Sequence, residues 1–434
     1  MPSPFTVLRT LTASERAKAA ILSAWFFLTI TTLWLLKPIR QASLLAHLGS
    51  SELPYVRLGA VVAVAVIVAI YSRIVDRASR VQVARGASAI FAVALVVLWA
   101  ALRAGGEALG SQRWLVWAVF ILVDIFSTVM VGIFWTYTND VVSREEADKL
   151  YGPIGVGGIL GGVAGGAMVD ALVRAIGHVD MLLLCTGLVL ACGAIVWGSE
   201  SYLKPPPRRT APVADAASTE RPRSSALEGA RIVLRSRYLM LVVGIVLCYE
   251  FAAAMTDFVV SVVFERAYED QTELTRMFGR LGWIVSGVAL LSQLVIVPML
   301  LPKKRIALLL PPVAMGLATV GLAIWPVVGV AILMSASDRG LNYSLQQATK
   351  ETLYVPLGDA EKYKAKAFID MLVDRFGKAL SSLALMGVIA ASGVSITISL
   401  VIAIAALVIW LACAAALGPA YVRRIADEER ASPP

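Results

Sequence analysis

Residues 114–138 read WLVWAVFILVDIFSTVMVGIFWTYT, an apolar run of 25 residues in which Asp124 is the one charged side chain. A helix of about 20 mostly apolar residues is long enough to cross a bilayer, so this run predicts a membrane-spanning helix. The rest of the chain has the same character, because 58% of its 434 residues are hydrophobic and 16% are charged. Soluble domains average about 45–50% apolar and about 25% charged residues. The composition predicts an integral membrane protein and excludes the ordinary soluble classes.

Twelve apolar stretches of spanning length divide the chain, and they predict an all-α membrane protein with twelve transmembrane helices. The predicted spans are residues 20–38, 54–72, 86–102, 114–138, 153–173, 181–199, 239–263, 281–301, 306–324, 327–347, 367–390 and 395–418. The tenth and eleventh are the least apolar, and their charged residues are Asp338, Arg339, Asp370, Asp374, Arg375 and Lys378.

The lysines and arginines are unequally divided between alternate connections. With the N-terminus in the cytoplasm, the inner connections hold roughly three times as many of these cations as the outer ones. This bias predicts that both termini are cytoplasmic, as in a bacterial inner (cell) membrane protein. It also accounts for the net charge of +9, so no nucleic-acid partner is expected.

A basic segment rich in proline, alanine and serine separates six predicted spans from the other six. The predicted organisation is a cytoplasmic N-terminus (1–19), a six-helix bundle (20–199), a disordered cytoplasmic linker (200–237), a second six-helix bundle (238–418) and a cytoplasmic tail (419–434). This outline resembles the major facilitator superfamily, whose halves rock about a site near the midplane. Asp76 and Arg77, between the second and third spans, are similar to that superfamily's loop motif, although an ordinary positive-inside turn explains them equally well.

Several ionisable side chains lie inside predicted spans, where each costs about 2.5–3.5 kcal/mol without a partner, water or a substrate. Lys37 and Arg40 flank Pro38, which is expected to break the first span and leave a cation pair for a polyanion. Snorkelling to the interface is the alternative for Lys37. Asp124 and Asp257 are expected to face the transport path, although structural ion pairs or proton-coupling carboxyls remain open for both.

The densest polar patch runs from residue 337 to residue 378 and predicts a water-filled cavity. Its polar members at the end of the tenth span and in the connection that follows include Asn342, Tyr343, Gln346, Lys350 and Glu351. The first four of these are candidate substrate-binding residues. Further along, four charges recur every fourth residue, a spacing that predicts a stripe of paired charges on one helix face. These four are Lys366, Asp370, Asp374 and Lys378. Together with Asp338, Arg339 and Arg375, the stripe is interpreted mainly as a gating seam, with direct substrate contact as the alternative.

The glycine-rich run at residues 152–166 reads GPIGVGGILGGVAGG. It lacks the Gly-Lys-Ser/Thr ending of a phosphate-binding loop. Small residues three and four apart predict close helix packing instead. The four cysteines and two histidines have no metal-ligand spacing, so neither a metal nor another cofactor is expected.

Three stretches in the polar patch resemble one known family. Residues 349–357 read TKETLYVPL, residues 362–370 read KYKAKAFID and residues 375–378 read RFGK. This series is similar to the Thr-Lys-Glu, Tyr-Ile-Pro-Leu, Lys-Gly-Lys-Ala, Ile-Asp and Gly-Lys series of the ATP/ADP translocases of plastids and obligate intracellular bacteria. Residues 36–41, LKPIRQ, resemble the family's Leu-Arg-Asp-Thr-Lys-Asp.

The resemblance implies that Arg40, Asp124, Asp257 and Lys350 correspond to the family's charged substrate-site residues. Both acidic positions carry aspartate where the family has glutamate, the first cation is arginine where the family has lysine, and Gln41 replaces an acidic residue. These departures indicate the broader bacterial branch and leave the ATP/ADP specificity open.

The resulting prediction is a secondary transporter that exchanges nucleoside triphosphates and diphosphates by alternating access, and not an enzyme. A proton-coupled transporter of another organic anion is the alternative. The expected partners are a nucleotide, membrane lipids and, in the alternative, protons, and a monomer is favoured.

Overall fold

The computed structural model describes residues 11–75, 78–199, 202–203, 223–354, 356–357, 364–366 and 368–431. All regular elements among these residues are helices, as predicted. The first six are α1 (Ala13–Leu48), α2 (Leu53–Val75), α3 (Arg80–Gly110), α4 (Arg113–Val141), α5 (Arg144–Gly198) and α6 (Arg223–Arg235). The others are α7 (Arg237–Ala267), α8 (Gln271–Leu291), α9 (Lys304–Ile324), α10 (Val328–Leu341), α11 (Asp374–Ser392) and α12 (Ile396–Ala431).

Three π-helical turns extend helices in the described part of the chain. Ser292–Ile296 continues α8 into Val297–Leu300, Asn342–Gln346 continues α10 into Gln347–Leu353, and Ile369–Val373 leads into α11. Such turns insert one residue into an α-helix and occur frequently at functional sites.

Nine helical segments in the described residues are long and apolar enough to cross a membrane. The predicted membrane protein is therefore supported, although the count differs from twelve for two reasons. α10 and α11 are not among the nine because charged residues lower their hydropathy. In addition, α5 counts once although its 55 residues would extend about 80 Å, far more than the ~30 Å bilayer core. Gly177 interrupts α5 with a φ of 81°, a left-handed conformation that glycine adopts without strain.

The described residues form two compact units. The first comprises Met1–Arg209 and Phe264–Leu290, and the second comprises Thr210–Val263 and Leu291–Pro434, within the limits of the described ranges. Capping boxes start two helices of the first unit. Thr12 and Glu15 cap α1, and Ser143 and Glu146 cap α5. The side chain of each first residue and the carboxylate three residues later satisfy exposed backbone N–H groups.

The glycine-rich face of α5 lies directly against α1. A β-carbon on Gly157, Gly161 or Gly165 would stand only 2.5–2.6 Å from a backbone oxygen of α1. These glycines therefore allow the two backbones to approach closely. The prediction of helix packing for residues 152–166 is confirmed, and the stretch forms part of a helix.

α1 continues through Pro38 to Leu48, so the predicted break at Pro38 is wrong. Proline removes one backbone donor, but membrane helices tolerate it where neighbouring helices and adjusted backbone geometry support the turn. Pro38 is buried among the residues of the first unit. Arg40 consequently projects from a continuous helix.

The second unit contains α6, α9, α10, α11 and α12 together with most of α7. Val297, Ala307 and Leu345 form one buried cluster in it. Part of the segment predicted as a disordered linker is helical, since residues 223–235 form α6. The apolar side of this helix includes Val233, which is buried, and burial of such side chains stabilises the helix. Residues 204–222 lie outside the described residues, as do Asp76 and Arg77 of the predicted loop motif.

Candidate functional site

Arg40 and Asp124, two charges predicted for the transport site, are brought together in the first unit. The Arg40 Nη1 group of α1 donates a hydrogen bond to Asp124 Oδ1 of α4. The guanidinium also lies 4.2 Å from the centroid of the Phe120 ring. The two side chains are 14% and 29% exposed, so both are largely withdrawn from solvent. A charge-assisted hydrogen bond in these surroundings holds each charge in place.

A third charge next to this pair was missed by the sequence analysis. Arg57 of α2 lies within electrostatic reach of Asp124. It follows Leu53, the first residue of α2, by one turn, and the sequence analysis did not select it as a candidate. Its position within an apolar run was the available signal. Lys37, which was grouped with Arg40, instead places its Nζ atom 4.9 Å from the centroid of the Trp34 ring.

Asp257 forms the corresponding pair in the second unit. The Arg339 Nη2 group of α10 donates a hydrogen bond to Asp257 Oδ1 of α7. The side chains of Arg339 and Asp257 are 29% and 21% exposed. Arg339 was predicted to belong to the gating seam. Its contact is instead with Asp257, the carboxylate that was predicted to face the transport path. The neighbouring Asp338 is buried and lies beside Tyr249.

A cavity of about 320 Å³ opens within the second unit. Four residues predicted to bind substrate line it, namely Asn342, Tyr343, Gln346 and Lys350. Aromatic side chains complete part of the wall, because Tyr249 and Trp410 also line the cavity and their ring centroids are 5.5 Å apart. The volume lies at the lower end of the ~300–1,000 Å³ of small-molecule sites. The predicted polar patch therefore faces a cavity, as expected.

Lys350 is held by a carboxylate from the following helical segment. Its Nζ atom lies 2.8 Å from Asp370 Oδ1. Lys366 in turn contacts Glu351, with 2.5 Å between Nζ and Oε2. Lys350 and Glu351 belong to Gln347–Leu353, the extension of α10. Both salt bridges therefore join this extension to residues that follow it in the chain.

The predicted stripe of four charges is correct only for its second half. Lys378 and Asp374 form an ion pair of 2.7 Å one turn apart on α11. Lys366 and Asp370, also four residues apart, bond to Glu351 and Lys350 instead. The π-helical turn Ile369–Val373 contains Asp370 and ends directly before Asp374, and its extra residue changes the phase on which a regular stripe depends. Arg375 lies on α11 next to Asp374.

Glu250 of α7 is a second residue that the sequence analysis missed. It lines the cavity, and its carboxyl group lies beside the Asp374 carboxylate and the Lys378 ammonium group. It stands seven residues before Asp257, which is two helical turns and therefore a similar face. The same reasoning that selected Asp257, an acid inside an apolar span, would have selected Glu250.

The cavity offers hydrogen-bond donors and acceptors and fixed charges, and no evident chemistry for a covalent step. Among the described residues, no cluster of three or more histidine, cysteine or acidic side chains has metal-binding geometry. The lysines that line the cavity are paired with carboxylates, an arrangement suited to reversible binding of an anion.

Solved structures with the same arrangement of helices are membrane transporters. The nucleoside transporter NupG matches 93% of this chain and 98% of its own chain, with a TM-score of 0.63 and 14% sequence identity. A bacterial homologue of the iron transporter ferroportin also gives a TM-score of 0.63, at 12% identity, over 92% of this chain and 98% of that one. At this level of identity the match concerns the fold alone. The chain therefore shares with these two transporters a similar arrangement of helices.

Sequence comparison gives the family. The chain belongs to the TLC ATP/ADP transporter family, whose pattern matches residues 102–325 and 310–421. The ADP,ATP carrier protein 1 of Chlamydia muridarum is 23% identical over an alignment of 363 residues that covers 74% of this chain and 68% of that one. The chloroplastic ADP,ATP carrier protein 1 of Arabidopsis thaliana is 23% identical over an alignment of 294 residues that covers 60% of this chain and 46% of that one. The predicted family and the prediction of a carrier instead of an enzyme are thereby confirmed.

Proposed function

We propose that this protein exchanges nucleoside triphosphates for diphosphates across the membrane. The observation that carries the proposal is the position of Lys350. Lys350 lines the cavity of the second unit, and it lies in the Thr-Lys-Glu stretch that resembles the family and within the region that the family pattern matches. The names of the relatives, which are ADP,ATP carriers, support a nucleotide as the substrate.

Three basic residues of the proposed transport site have a carboxylate partner within their own unit. Arg40 bonds to Asp124, Arg339 to Asp257 and Lys350 to Asp370. A phosphate group competes with a carboxylate for the same donors, and arginine meets either one with two parallel hydrogen bonds. We infer that the carboxylates neutralise the cations between transport events and weaken phosphate binding enough to allow release.

Amide side chains next to Lys350 are proposed to contact the nucleoside part of the substrate. Asn342, Gln346 and Gln347 line the same cavity. An amide presents one acceptor and two donor hydrogens in a plane, the arrangement that pairs with the edge of a base such as adenine. The aromatic walls formed by Tyr249 and Trp410 offer flat apolar surface for a base.

The proposed topology has twelve spans in two six-helix halves (20–199 and 238–418). The protein is proposed to lie in the bacterial inner membrane as a monomer, with both termini on the cytoplasmic side. The break at Gly177 supports two spans within α5. α10 with its extension covers residues 328–353, and α11 with its π-helical turn covers residues 369–392. Both are longer than the ~20 residues that a span requires. Some of their charged residues, among them Lys350, Asp374 and Lys378, line the cavity. A charge that faces a cavity is less costly in a membrane than one that faces lipid.

The proposal is tested by ATP entry into proteoliposomes that contain ADP. Entry that depends on internal ADP is expected for the native chain and is expected to fall at least tenfold in Lys350→Ala. The double variant Lys350→Ala/Asp370→Ala removes both charges, so it tests whether the loss comes from an unpaired aspartate alone. Lys364→Ala is the matched control, since Lys364 pairs with Glu228 at 2.6 Å and does not line the cavity. Full exchange in Lys350→Ala would contradict the proposal.

A proton-coupled carrier of another organic anion is the second candidate. The observation that favours it is the proximity of the Glu250 and Asp374 carboxyl groups in the cavity. Two carboxyls beside one another share a proton more readily than isolated ones. Uptake driven by an imposed pH gradient, without internal ADP and without inhibition by nucleotides, would favour this candidate. Nucleotide exchange that is insensitive to the gradient would exclude it.

A further inference from the structure

Four arginines converge on an open pocket in the second unit, apart from the proposed transport cavity. The pocket has a volume of about 660 Å³ and lies where α6 meets α7 and near the end of α12. Its charged lining residues are Arg235, Arg237, Arg423 and Arg424. Among the residues that the structure describes, no acidic side chain lines it.

The four arginines of the pocket come from two short stretches of the sequence. Arg235 and Arg237 flank Ser236, the single residue between α6 and α7, and Arg423 and Arg424 are adjacent on α12. Arg231 stands one turn before Arg235 and is also exposed. Like charges one turn apart destabilise a helix by a few tenths of a kcal/mol. A bound anion would turn this mutual repulsion into attraction.

Polar and aromatic groups fix one of the guanidinium groups in the pocket. Arg424 Nη2 lies 3.3 Å from Ser236 Oγ, and its guanidinium carbon lies 5.0 Å from the centroid of the Tyr238 ring. The other three arginines are exposed. Their hydrogen-bond donors therefore remain accessible to a ligand that arrives from outside the protein.

Two exposed apolar side chains of the second unit are sequence neighbours of arginines in the basic pocket. Leu234 is 70% exposed and Val422 is 60% exposed, and each is next to an arginine of the pocket in the sequence. The other side of α6 is occupied, because Glu228 pairs with Lys364 and Gly229 lies against the Lys364 carbonyl. A helix with one packed face and an exposed face of arginine and leucine is typical of the membrane interface.

We propose that this pocket binds the phosphate headgroup of an anionic membrane lipid. The arginines would hold the phosphate, and Leu234 and Val422 would contact the beginning of the acyl chains. Basic pockets at the ends of membrane helices bind such headgroups by the same combination of charge and apolar contact. The site is separate from nucleotide exchange, so it stands or falls independently of the proposed function.

The test measures the thermal midpoint of the purified full-length protein in zwitterionic detergent during titration with short-chain phosphatidylglycerol. Short-chain phosphatidylcholine is the neutral-lipid control, and inorganic phosphate is the third arm. The midpoint is expected to rise with phosphatidylglycerol alone. In Arg235→Gln/Arg423→Gln the apparent affinity is expected to fall at least tenfold, because each arginine near an anionic headgroup contributes about 1 kcal/mol and tenfold corresponds to about 1.4 kcal/mol.

The matched control is Arg16→Gln/Arg73→Gln, which removes two exposed arginines of the first unit. An equal loss of affinity in this control would show diffuse charge attraction and overturn the proposal. A rise of the midpoint with millimolar phosphate as large as that with the lipid would overturn it in favour of a free-anion site. Equal midpoints of all variants without lipid would show that the substitutions leave the fold intact.

Discussion

The guanidinium of Arg40 on α1 bonds to the carboxylate of Asp124 on α4, which lies 84 positions further along the chain. Both side chains are less than one-third exposed. Either charge alone would be costly within the membrane. The ion pair reduces this cost for both residues. The pair is therefore a structural element and a part of the proposed transport site at the same time, and the two roles are separable by substitution.

The two roles of this pair predict a non-additive result. Asp124→Asn and Arg40→Gln are each expected to destabilise the protein by about 1–3 kcal/mol, less than the 3–5 kcal/mol of a fully buried pair because the side chains retain some exposure. The double variant is expected to be more stable than the sum of the two changes implies. Thermal unfolding of all four proteins measures this coupling. Exchange activity is expected to be absent from both variants that lack Arg40, and additive destabilisation would show that the residues act independently.

Substitutions of two cavity residues, Gln346 and Lys350, are expected to have different effects on the kinetics of exchange. Gln346→Leu is expected to raise KM about tenfold for triphosphate and diphosphate alike, because one or two hydrogen bonds to the nucleoside are lost. Lys350→Gln is expected to affect the triphosphate more strongly, because the ammonium interacts with the phosphates. Initial rates of exchange at varied external ATP and ADP measure both effects. Equal changes for both nucleotides in Lys350→Gln would place this lysine away from the phosphates.

The contact between α1 and α5 predicts opposite effects for two glycines of the same helix. Gly161→Ala is expected to destabilise the first unit by about 1–3 kcal/mol, since its β-carbon would stand 2.5 Å from the Phe27 carbonyl oxygen. Gly155→Ala is the control, because a β-carbon there meets no atom within 4 Å. Replacing a helical glycine by alanine gains about 0.5–1 kcal/mol where space allows. Thermal midpoints that shift in the same direction would contradict the packing.

The Lys18–Glu146 bridge predicts how stability depends on pH. Burial raises the pKa of Glu146, but hydrogen bonds from Lys18 and Ser143 outweigh it and hold the pKa below the usual 4.5. The folded protein therefore binds fewer protons at this site than the unfolded chain, and the stabilisation is complete above the unfolded pKa. It is lost as the pH falls through the lower folded value.

The corresponding experiment compares the native chain with Glu146→Gln between pH 3.5 and 7. The native chain is expected to have the higher thermal midpoint, by a constant amount from about pH 6 to 7, and the difference is expected to shrink below about pH 4.5. Lys149→Gln is a useful control because Lys149 pairs with Glu15 at 3.3 Å and leaves the Glu146 contacts unchanged. A pH-independent difference would assign the effect to packing.

Much of the fold could be predicted from the sequence because a membrane imposes one simple requirement on length and apolarity. The run at 114–138 became α4, which extends from Arg113 to Val141. Pro38 was misjudged because a local rule for proline does not include the packing that surrounds α1. The helix at Arg223–Arg235 was missed because the composition of the whole segment concealed a short amphipathic stretch.

The candidate site was predicted residue by residue but not pair by pair. Asp124, Asp257 and Lys350 were recognisable as charges in apolar or family-like surroundings. Their partners Arg40, Arg339 and Asp370 lie on other helical segments, and no sequence spacing specifies which of several cations will meet a given acid. Arg57 and Glu250 were accessible to the same reasoning and were overlooked.

The π-helical turn Asn342–Gln346 also has a consequence for how members of the family compare. One extra residue rotates the helix that follows it by about 100°, so a helical wheel drawn from Val328 assigns Lys350 to the wrong side. Relatives that lack this insertion would present a neighbouring residue to the cavity even if every letter around it were identical. A deletion in this turn is thus expected to change which side chains face the cavity, whereas a point substitution leaves the angular phase of the helix unchanged.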